Sequence, residues 1–211
     1  MYSTYIFDFD YTLVNSEQAI VMCFEMLLRD EGFPPADRES ICRTIGKSMK
    51  ESMSILTGVT DTERIAELCH LYKIRYSDIY MTPNTHLYPQ TRPMLERLKQ
   101  KGARTAIVST KTRRRINQTI AREHLESLID YVVGSEDVHT PKPSPEGLFY
   151  VIDHFHLSKK DILYIGDHTI DAETAVQAGV DFAAVTTGTT TAEEFTVYPC
   201  IQIMSSLDEL M

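Results

Sequence analysis

An α/β fold, a mostly parallel sheet flanked by helices with a helical domain inserted after the first strand, is predicted from two observations. Through the second half of the chain, short β-rich apolar runs alternate with segments of helical period. Between the first apolar run and the next lie nearly a hundred residues whose pattern is helical throughout. The alternation gives βαβ units and a Rossmann-like parallel sheet core.

The first strand is placed at Thr4–Phe7. Ser16 then opens the helix SEQAIVMCFEMLLRDEG as its N-cap, with Glu17 in the first turn and Gly32 past the end. Shorter helices are expected at 37–45 and 47–56, and a long one from 61 to about 80. These are too many for one βα crossover, so residues 15–86 read as a helical cap domain and residues 1–14 with 87–211 as the α/β core domain. Core strands are expected at Arg104–Val108, Tyr131–Val133, 161–166, 182–186 and 200–203. Between them run helices at 92–101, stopped by Gly102, at 112–125, with Ile116, Ile120 and Leu125 in helical period, and at 171–178, stopped by Gly179.

Composition narrows the function classes. Among 211 residues, 43% are hydrophobic, and 9 Gly with 9 Pro fall far below the roughly 25–30% of low-complexity chains. A formal net charge of −9 repels phosphate backbones and anionic lipid, so neither nucleic acid nor membrane is expected as a partner. No apolar run approaches the roughly 18 residues of a membrane span, and MYSTYIFDFD lacks the basic-then-apolar order of an export signal. Four cysteines, Cys23, Cys42, Cys69 and Cys200, form no CxxC pair, which suits a reducing cytoplasm and argues against zinc.

In an open parallel sheet, ligands bind beyond the carboxyl ends of the strands. Asp8 and Asp10 follow YIF, Ser109 and Thr110 follow AIV, a loop with Lys142 follows YVV, and Asp167 and Asp171 follow LYIG. Residues two apart in an extended segment share a face, so Asp8 and Asp10 can address one site while Asp167 arrives from another strand. Two carboxylates about 5 Å apart repel by roughly 3 kcal/mol at an effective dielectric near 20, which Lys142 alone cannot offset for several pairs. A hard divalent cation can, and oxygen-only ligands that must also admit a phosphate favour Mg²⁺. Such a set suits covalent phosphoryl transfer, with Asp8 as nucleophile and Asp10 moving the leaving-group proton, while Mg²⁺, Lys142 and Ser109 hold the phosphoryl oxygens.

The segments DFDYTLVNS (8–16), VSTK (108–111), PKP (141–143) and GDHTID (166–171), in this order and each at a strand end, resemble the motifs of the haloacid-dehalogenase-like superfamily. That resemblance implies Asp8 as nucleophile, Asp10 as acid/base, and Mg²⁺ held by the Asp8 carboxylate, the Asp10 backbone carbonyl and Asp167. Ser109, Thr110 and Lys142 would bind phosphate, Thr12 would steady the turn after the nucleophile, and Asp171 would support the metal ligands. The helical insertion is similar to the cap of the phosphoglycolate phosphatase and β-phosphoglucomutase branch, which closes over the site and selects the leaving group. Gly46 in TIGKSMKES and the STK segment, where those enzymes often have TNK, favour the phosphoglycolate phosphatases. Tyr11 stands where the family commonly has glycine, and Thr110 where it has asparagine. Asp10 disfavours dehalogenation. The absence of a cap arginine after Gly46, where Lys47 and Lys50 stand instead, disfavours mutation of sugar phosphates.

Other readings stay open at this level. Asp171 also reads as a helix N-cap, His168 as a hydrogen-bonding loop residue, Lys47 and Lys50 as surface lysines, and Arg113, Arg114 and Arg115 as a solvated run. The expected activity is Mg²⁺-dependent hydrolysis of a small phosphorylated metabolite through an aspartyl phosphate. Inorganic pyrophosphatase and β-phosphoglucomutase-type chemistry are alternatives within the superfamily. A phosphorylatable regulatory domain uses similar parts, but its acidic pair comes first and it has no cap after the first strand.

Overall fold

A computed structural model describes residues 2–210. They divide into two compact units, Met1–Val14 with Leu87–Met211, and Asn15–His86. The chain crosses between them within the two-residue strands β2 (Val14–Asn15) and β3 (His86–Leu87), which are too short to leave an alternating pattern in the sequence.

Among the described residues of the first unit, six strands form one parallel sheet. These are β1 (Thr4–Phe7), β4 (Arg104–Val108), β5 (Tyr131–Val133), β6 (Ile162–Gly166), β7 (Asp181–Val185) and β8 (Cys200–Met204), in the order β5-β4-β1-β6-β7-β8. This is the predicted Rossmann-like sheet, with strand ends within one residue of expectation. The helices are α5 (Thr91–Gln100), α6 (Arg113–Arg122), α7 (Glu146–Phe155), α8 (Thr169–Ala178) and the single turn α9 (Ala192–Phe195). Neither α7 nor α9 was predicted.

Period-2 alternation sorts the strand side chains onto two buried faces, as both faces of a parallel sheet require. Tyr5, Phe7, Ile107, Leu163 and Ile165 pack with Leu95 and Leu98 of α5 and Ile116 and Ile120 of α6. Ile6, Ala106, Val108, Tyr164 and Ala184 pack with Leu148 and Val151 of α7 and Ala172, Ala175 and Ala178 of α8. Fully burying one such Ile, Leu or Phe is worth about 1.5–3 kcal/mol, so these two layers hold the sheet edge in place.

The second unit is helical: α1 (Glu17–Asp30), α2 (Arg38–Cys42), α3 (Met49–Thr57) and α4 (Thr62–Leu71), which runs on into a π-helical segment, Tyr72–Met81. Side chains of Asp37, Ser48 and Asp61 cap α2, α3 and α4, whereas Ser16 occupies the N-cap position of α1 without a capping side-chain bond. The predicted long helix from 61 is therefore continuous but changes its winding. Its buried residues Tyr72, Tyr76, Ser77 and Met81 recur at intervals of four to five, which suits i→i+5 bonding better than a 3.6 period. The Phe24 and Tyr72 rings meet at a tilt of 40°, centroids 4.7 Å apart, and Tyr76 donates to Asp30 at 2.8 Å, tying this segment to α1.

The loop after β4 is seated by a close approach at Gly134, just past β5. A Cβ there would lie 2.2 Å from the backbone nitrogen of Arg113, the first residue of α6. Overpacking against backbone costs about 1–3 kcal/mol. Gly134→Ala is expected to lower the melting temperature by roughly 2–12 °C, on the scale of about 2–4 °C per kcal/mol for a chain of this size; calorimetry showing no shift would mean the two elements are loosely packed.

Candidate active site

The register of the sheet decides which residues meet. Phe7 pairs with Ile107 on one side and with Ile165 on the other, so Asp8, Ser109 and Asp167 leave the sheet at the same edge. From β1 the chain proceeds to β4 and β5 in one direction and to β6, β7 and β8 in the other. Asp8 and Asp167 thus flank the switch point, where open α/β sheets bind ligands.

After β1 the chain turns back sharply, Leu13 and Val14 both donating to the Phe9 carbonyl, at 2.9 and 3.2 Å. Tyr11 lies at φ 60° in this turn, a conformation that costs a non-glycine residue about 1–2 kcal/mol and that the family's commoner glycine adopts freely. It is held there by a 2.8 Å bond from its own N–H to Val14 and by the Thr187 hydroxyl on its carbonyl. Thr12, expected to steady this turn, donates its N–H to the Phe9 carbonyl at 3.3 Å and its hydroxyl to Asp167 Oδ1 at 2.8 Å, linking the first and last motifs.

Lys142 forms the centre of the site. Its buried Nζ donates to Asp8 Oδ1 at 2.8 Å, to Asp171 Oδ1 at 2.5 Å and to the Tyr164 hydroxyl at 3.1 Å. Tyr164 donates in turn to Asp171 Oδ1 at 2.8 Å. The other Asp171 oxygen accepts from His168 N–H at 3.1 Å, while His168 Nδ1 accepts from Ile170 N–H at 3.1 Å. This reciprocal pair makes His168 the N-cap of α8 and Asp171 its third residue, correcting the alternative reading of Asp171 as the cap.

Asp8, Asp167 and Asp171 are 2%, 3% and 1% exposed, and each offers a carboxylate oxygen within 4.8 Å of the others'. Burial raises the Asp8 pKa to about 6, with Lys142 pulling it down and Asp171 pushing it up. Asp167, buried and facing Asp171 and Asp8, is raised well above the ordinary carboxylate range. For Lys142, burial alone would lower the pKa, but Asp171 and Asp8 raise it well above the usual value. Three buried carboxylates therefore share one ammonium. No donor reaches Asp8 Oδ2 or Asp167 Oδ2 among the described residues, and a Cβ at Gly188 would sit 2.0 Å from Asp167 Oδ2, so only glycine leaves that oxygen its place. Unsatisfied, oxygen-only and acidic, the set fits a hard divalent cation. The Asp10 carboxylate stands outside the acidic group: Lys111 Nζ binds it through both oxygens, at 2.8 and 3.0 Å.

Ser109, Thr110 and Lys142 line one small recess together with Gly134 and Ser144. Ser109 Oγ accepts from Lys111 N–H at 3.3 Å. In the helical unit Lys47 pairs with Glu51 at 3.0 Å, and Lys50 is exposed. The basic run divides: Arg113 pairs with Asp137 at 2.9 Å, and Arg115 is buried at 5% exposure with its guanidinium 2.7 Å from Gln118 Oε1, so it is not part of a solvated face. Tyr164, which meets the acidic centre, and Lys111, which binds Asp10 beside it, are not among the site residues expected from sequence. A tyrosine inside a buried strand needs a partner for its hydroxyl, which was the available signal.

A parallel sheet whose switch point gathers acidic, hydroxyl and ammonium groups has the parts of a phosphoryl-handling site, and comparison with known protein families gives its class as hydrolase. More particularly, the haloacid dehalogenase-like hydrolase family matches residues 5–185, and the chain belongs to that family. It is similar to a haloacid dehalogenase-like hydrolase from Bacteroides fragilis of known crystal structure, with 45% identity, a TM-score of 0.97 and 100% of each chain covered. It is 31% identical to a phosphoglycolate phosphatase from Rhodobacter capsulatus, covering 87% of this chain and 84% of that protein. It is also 26% identical to the pyrophosphatase PpaX of Bacillus cereus, covering 87% and 82%. No helix among the described residues is long and apolar enough to cross a membrane.

A carboxylate whose folded pKa is raised binds more protons folded than unfolded, so stability falls as pH rises from the unfolded value near 4 through the folded one. In excess chelator, Asp8 and Asp167 therefore contribute a loss of stability between about pH 4 and 6 and beyond. Asp167→Asn is expected to be more stable than wild type to denaturant at pH 7.5, with the gap narrowing at pH 5. A variant less stable at pH 7.5 would show that the buried charge is already compensated.

Proposed function

We propose that this enzyme is a Mg²⁺-dependent phosphomonoesterase that cleaves a small phosphorylated metabolite through an aspartyl phosphate. The observation that carries the reading is the Asp8 carboxylate, pinned through one oxygen by Lys142 at 2.8 Å with the other oxygen bare of donors. Asp8, Asp167 and the Asp10 backbone carbonyl would hold Mg²⁺. When bound, the cation supplies neutralisation of the carboxylates and of the phosphoryl oxygens.

The free oxygen of Asp8 attacks phosphorus, forming the O–P bond as the ester O–P bond breaks, and Asp10 gives its proton to the departing alkoxide. Asp10 then takes a proton from water as the water oxygen attacks phosphorus, releasing phosphate and restoring Asp8. Lys142 and the hydroxyls of Ser109 and Thr110 hold the equatorial oxygens, where phosphoryl-transfer catalysis mostly lies. Thr12 and Asp171 act through others, one orienting Asp167 and the other Lys142. The unit of residues 15–86 is assigned the role of cap. A carbon-based ester rather than pyrophosphate is favoured by Asp10, because an alkoxide needs a proton to leave and pyrophosphate does not need one from this residue.

Asp8→Asn is expected to lower turnover of an aryl phosphate by at least about 10³-fold with the fold retained, as loss of a nucleophile does elsewhere; a variant as active as wild type would end the covalent reading. Separately, free Mg²⁺ at about 100 times its dissociation constant should stabilise the fold by about 2.7 kcal/mol, a rise in melting temperature of roughly 5–10 °C. Asp167→Asn should lose most of that rise. An unchanged melting temperature with the wild-type protein would count against the cation.

A further inference from the structure

We propose that Tyr164 is a positioning residue whose hydroxyl holds the third donor of the Lys142 ammonium while the site is empty and yields it to a phosphoryl oxygen when phosphate enters. The inference rests on the phosphomonoesterase reading and deepens it, because it states how a lysine with every donor engaged takes hold of a phosphate.

An ammonium has three donors. Lys142 directs them to Asp8 Oδ1 at 2.8 Å, to Asp171 Oδ1 at 2.5 Å and to the Tyr164 hydroxyl at 3.1 Å. Its side chain is only 4% exposed. A phosphoryl oxygen can therefore receive a full donor from Lys142 only in exchange for one of these three partners.

The three bonds are unequal. Two of them join opposite charges, while the third and longest ends on a neutral hydroxyl. Asp171 is also held from both sides, since Oδ1 accepts from Tyr164 at 2.8 Å and Oδ2 from the His168 N–H at 3.1 Å, so it stays in place to keep Lys142. The phenol oxygen is the partner given up at least cost, and an anionic oxygen outcompetes it for the same donor because opposite charges attract strongly in a buried site.

Tyr164 is placed for such an exchange. It is fully buried in β6, its ring 6.0 Å from that of Phe182, and its proton goes to Asp171, so it keeps that bond after Lys142 has turned away. Its oxygen lies 3.4 Å from the carbonyl of Val108, the residue before Ser109, and Ser109, Thr110 and Lys142 line one recess. The exchange leaves the phenol oxygen buried without its donor, which disfavours phosphate binding. Removing the hydroxyl removes that penalty. Tyr164→Phe therefore binds phosphate more tightly than wild type, the reverse of what loss of a merely orienting residue would do.

The test is titration calorimetry of inorganic phosphate into the full chain with Mg²⁺, wild type against Tyr164→Phe. The dissociation constant of the variant is expected to be lower by about 3- to 10-fold, the worth of one ordinary hydrogen bond. Its kcat/KM for p-nitrophenyl phosphate should rise by a similar factor, since that quantity also compares the free enzyme with a state in which Lys142 holds the phosphoryl group. Weaker phosphate binding with a lower kcat/KM would show that Tyr164 only orients Lys142 and would overturn the proposal, as would an unchanged dissociation constant. Should Tyr164→Phe fail to fold by circular dichroism, a crystal structure of the wild type with Mg²⁺ and inorganic phosphate decides. Lys142 Nζ is expected to bond Asp8, Asp171 and a phosphate oxygen and to lie beyond about 3.5 Å from the Tyr164 oxygen, whereas a retained 3.1 Å bond would overturn the exchange. A wild-type enzyme that neither binds inorganic phosphate nor hydrolyses p-nitrophenyl phosphate would remove the phosphomonoesterase reading, and this inference with it. Hydrolysis of that ester without the tightening in the variant removes this inference alone.

Discussion

The buried ammonium of Lys142 is the interaction on which the site depends. It is bonded to Asp8, Asp171 and Tyr164 at once, and so joins the end of β1, the middle of β6, the start of α8 and the loop before α7. Without it three carboxylates would face one another in a low-dielectric pocket, where each pair at about 5 Å costs roughly 3 kcal/mol even at an effective dielectric near 20. With it the site still sets three buried carboxylates against one ammonium, and burial first, then the neighbouring carboxylates, raises the pKa values of Asp8 and Asp167. That deficit is the physical basis for expecting a dication. It also explains why Asp171, with both oxygens engaged, serves to hold Lys142 rather than to face a ligand.

A second constraint is division of labour between two lysine–aspartate pairs. Lys142 pairs with Asp8, and both are buried. Lys111 pairs with Asp10, slightly more exposed, on the far side of the Phe9 turn. In the proposed reaction one pair would address the phosphoryl group and the other the departing alcohol. The left-handed Tyr11, three residues after Asp8, lies within the turn in which Leu13 and Val14 fold back onto the Phe9 carbonyl.

Much of this was legible in the sequence because it depends on local pattern. The strands β1, β4 and β5 were read to the residue, since a parallel strand buried on both faces is a continuous apolar run, and the polar residues just beyond each run marked the edge that binds ligand. Boundaries blurred where the signal was weaker. The helix α8 starts two residues earlier than expected because histidine rarely advertises itself as an N-cap, and α7 was missed behind the PKP segment. The change to π-helical winding after Leu71 leaves a spacing of four to five that looks like an ordinary helix with gaps. Contacts between distant residues were the least legible. Thr12 was placed near the right turn but its bond to Asp167, and that of Lys111 to Asp10, depend on strand register that no single segment carries. The burial of Arg115, in a run that reads as solvated, has the same cause: which of three consecutive arginines faces inward is set by how α6 packs on the sheet.

The central claim is that Asp8 forms a covalent bond to phosphorus during turnover. Acid quenching of the enzyme mid-turnover with Mg²⁺ and an aryl phosphate, followed by intact-mass measurement and peptide mapping, tests it most directly. The account predicts a fraction of the protein heavier by one phosphoryl group, located on Asp8 and absent from the asparagine variant at that position. A modification on another residue, or steady turnover with no adduct at any quench time, would contradict it.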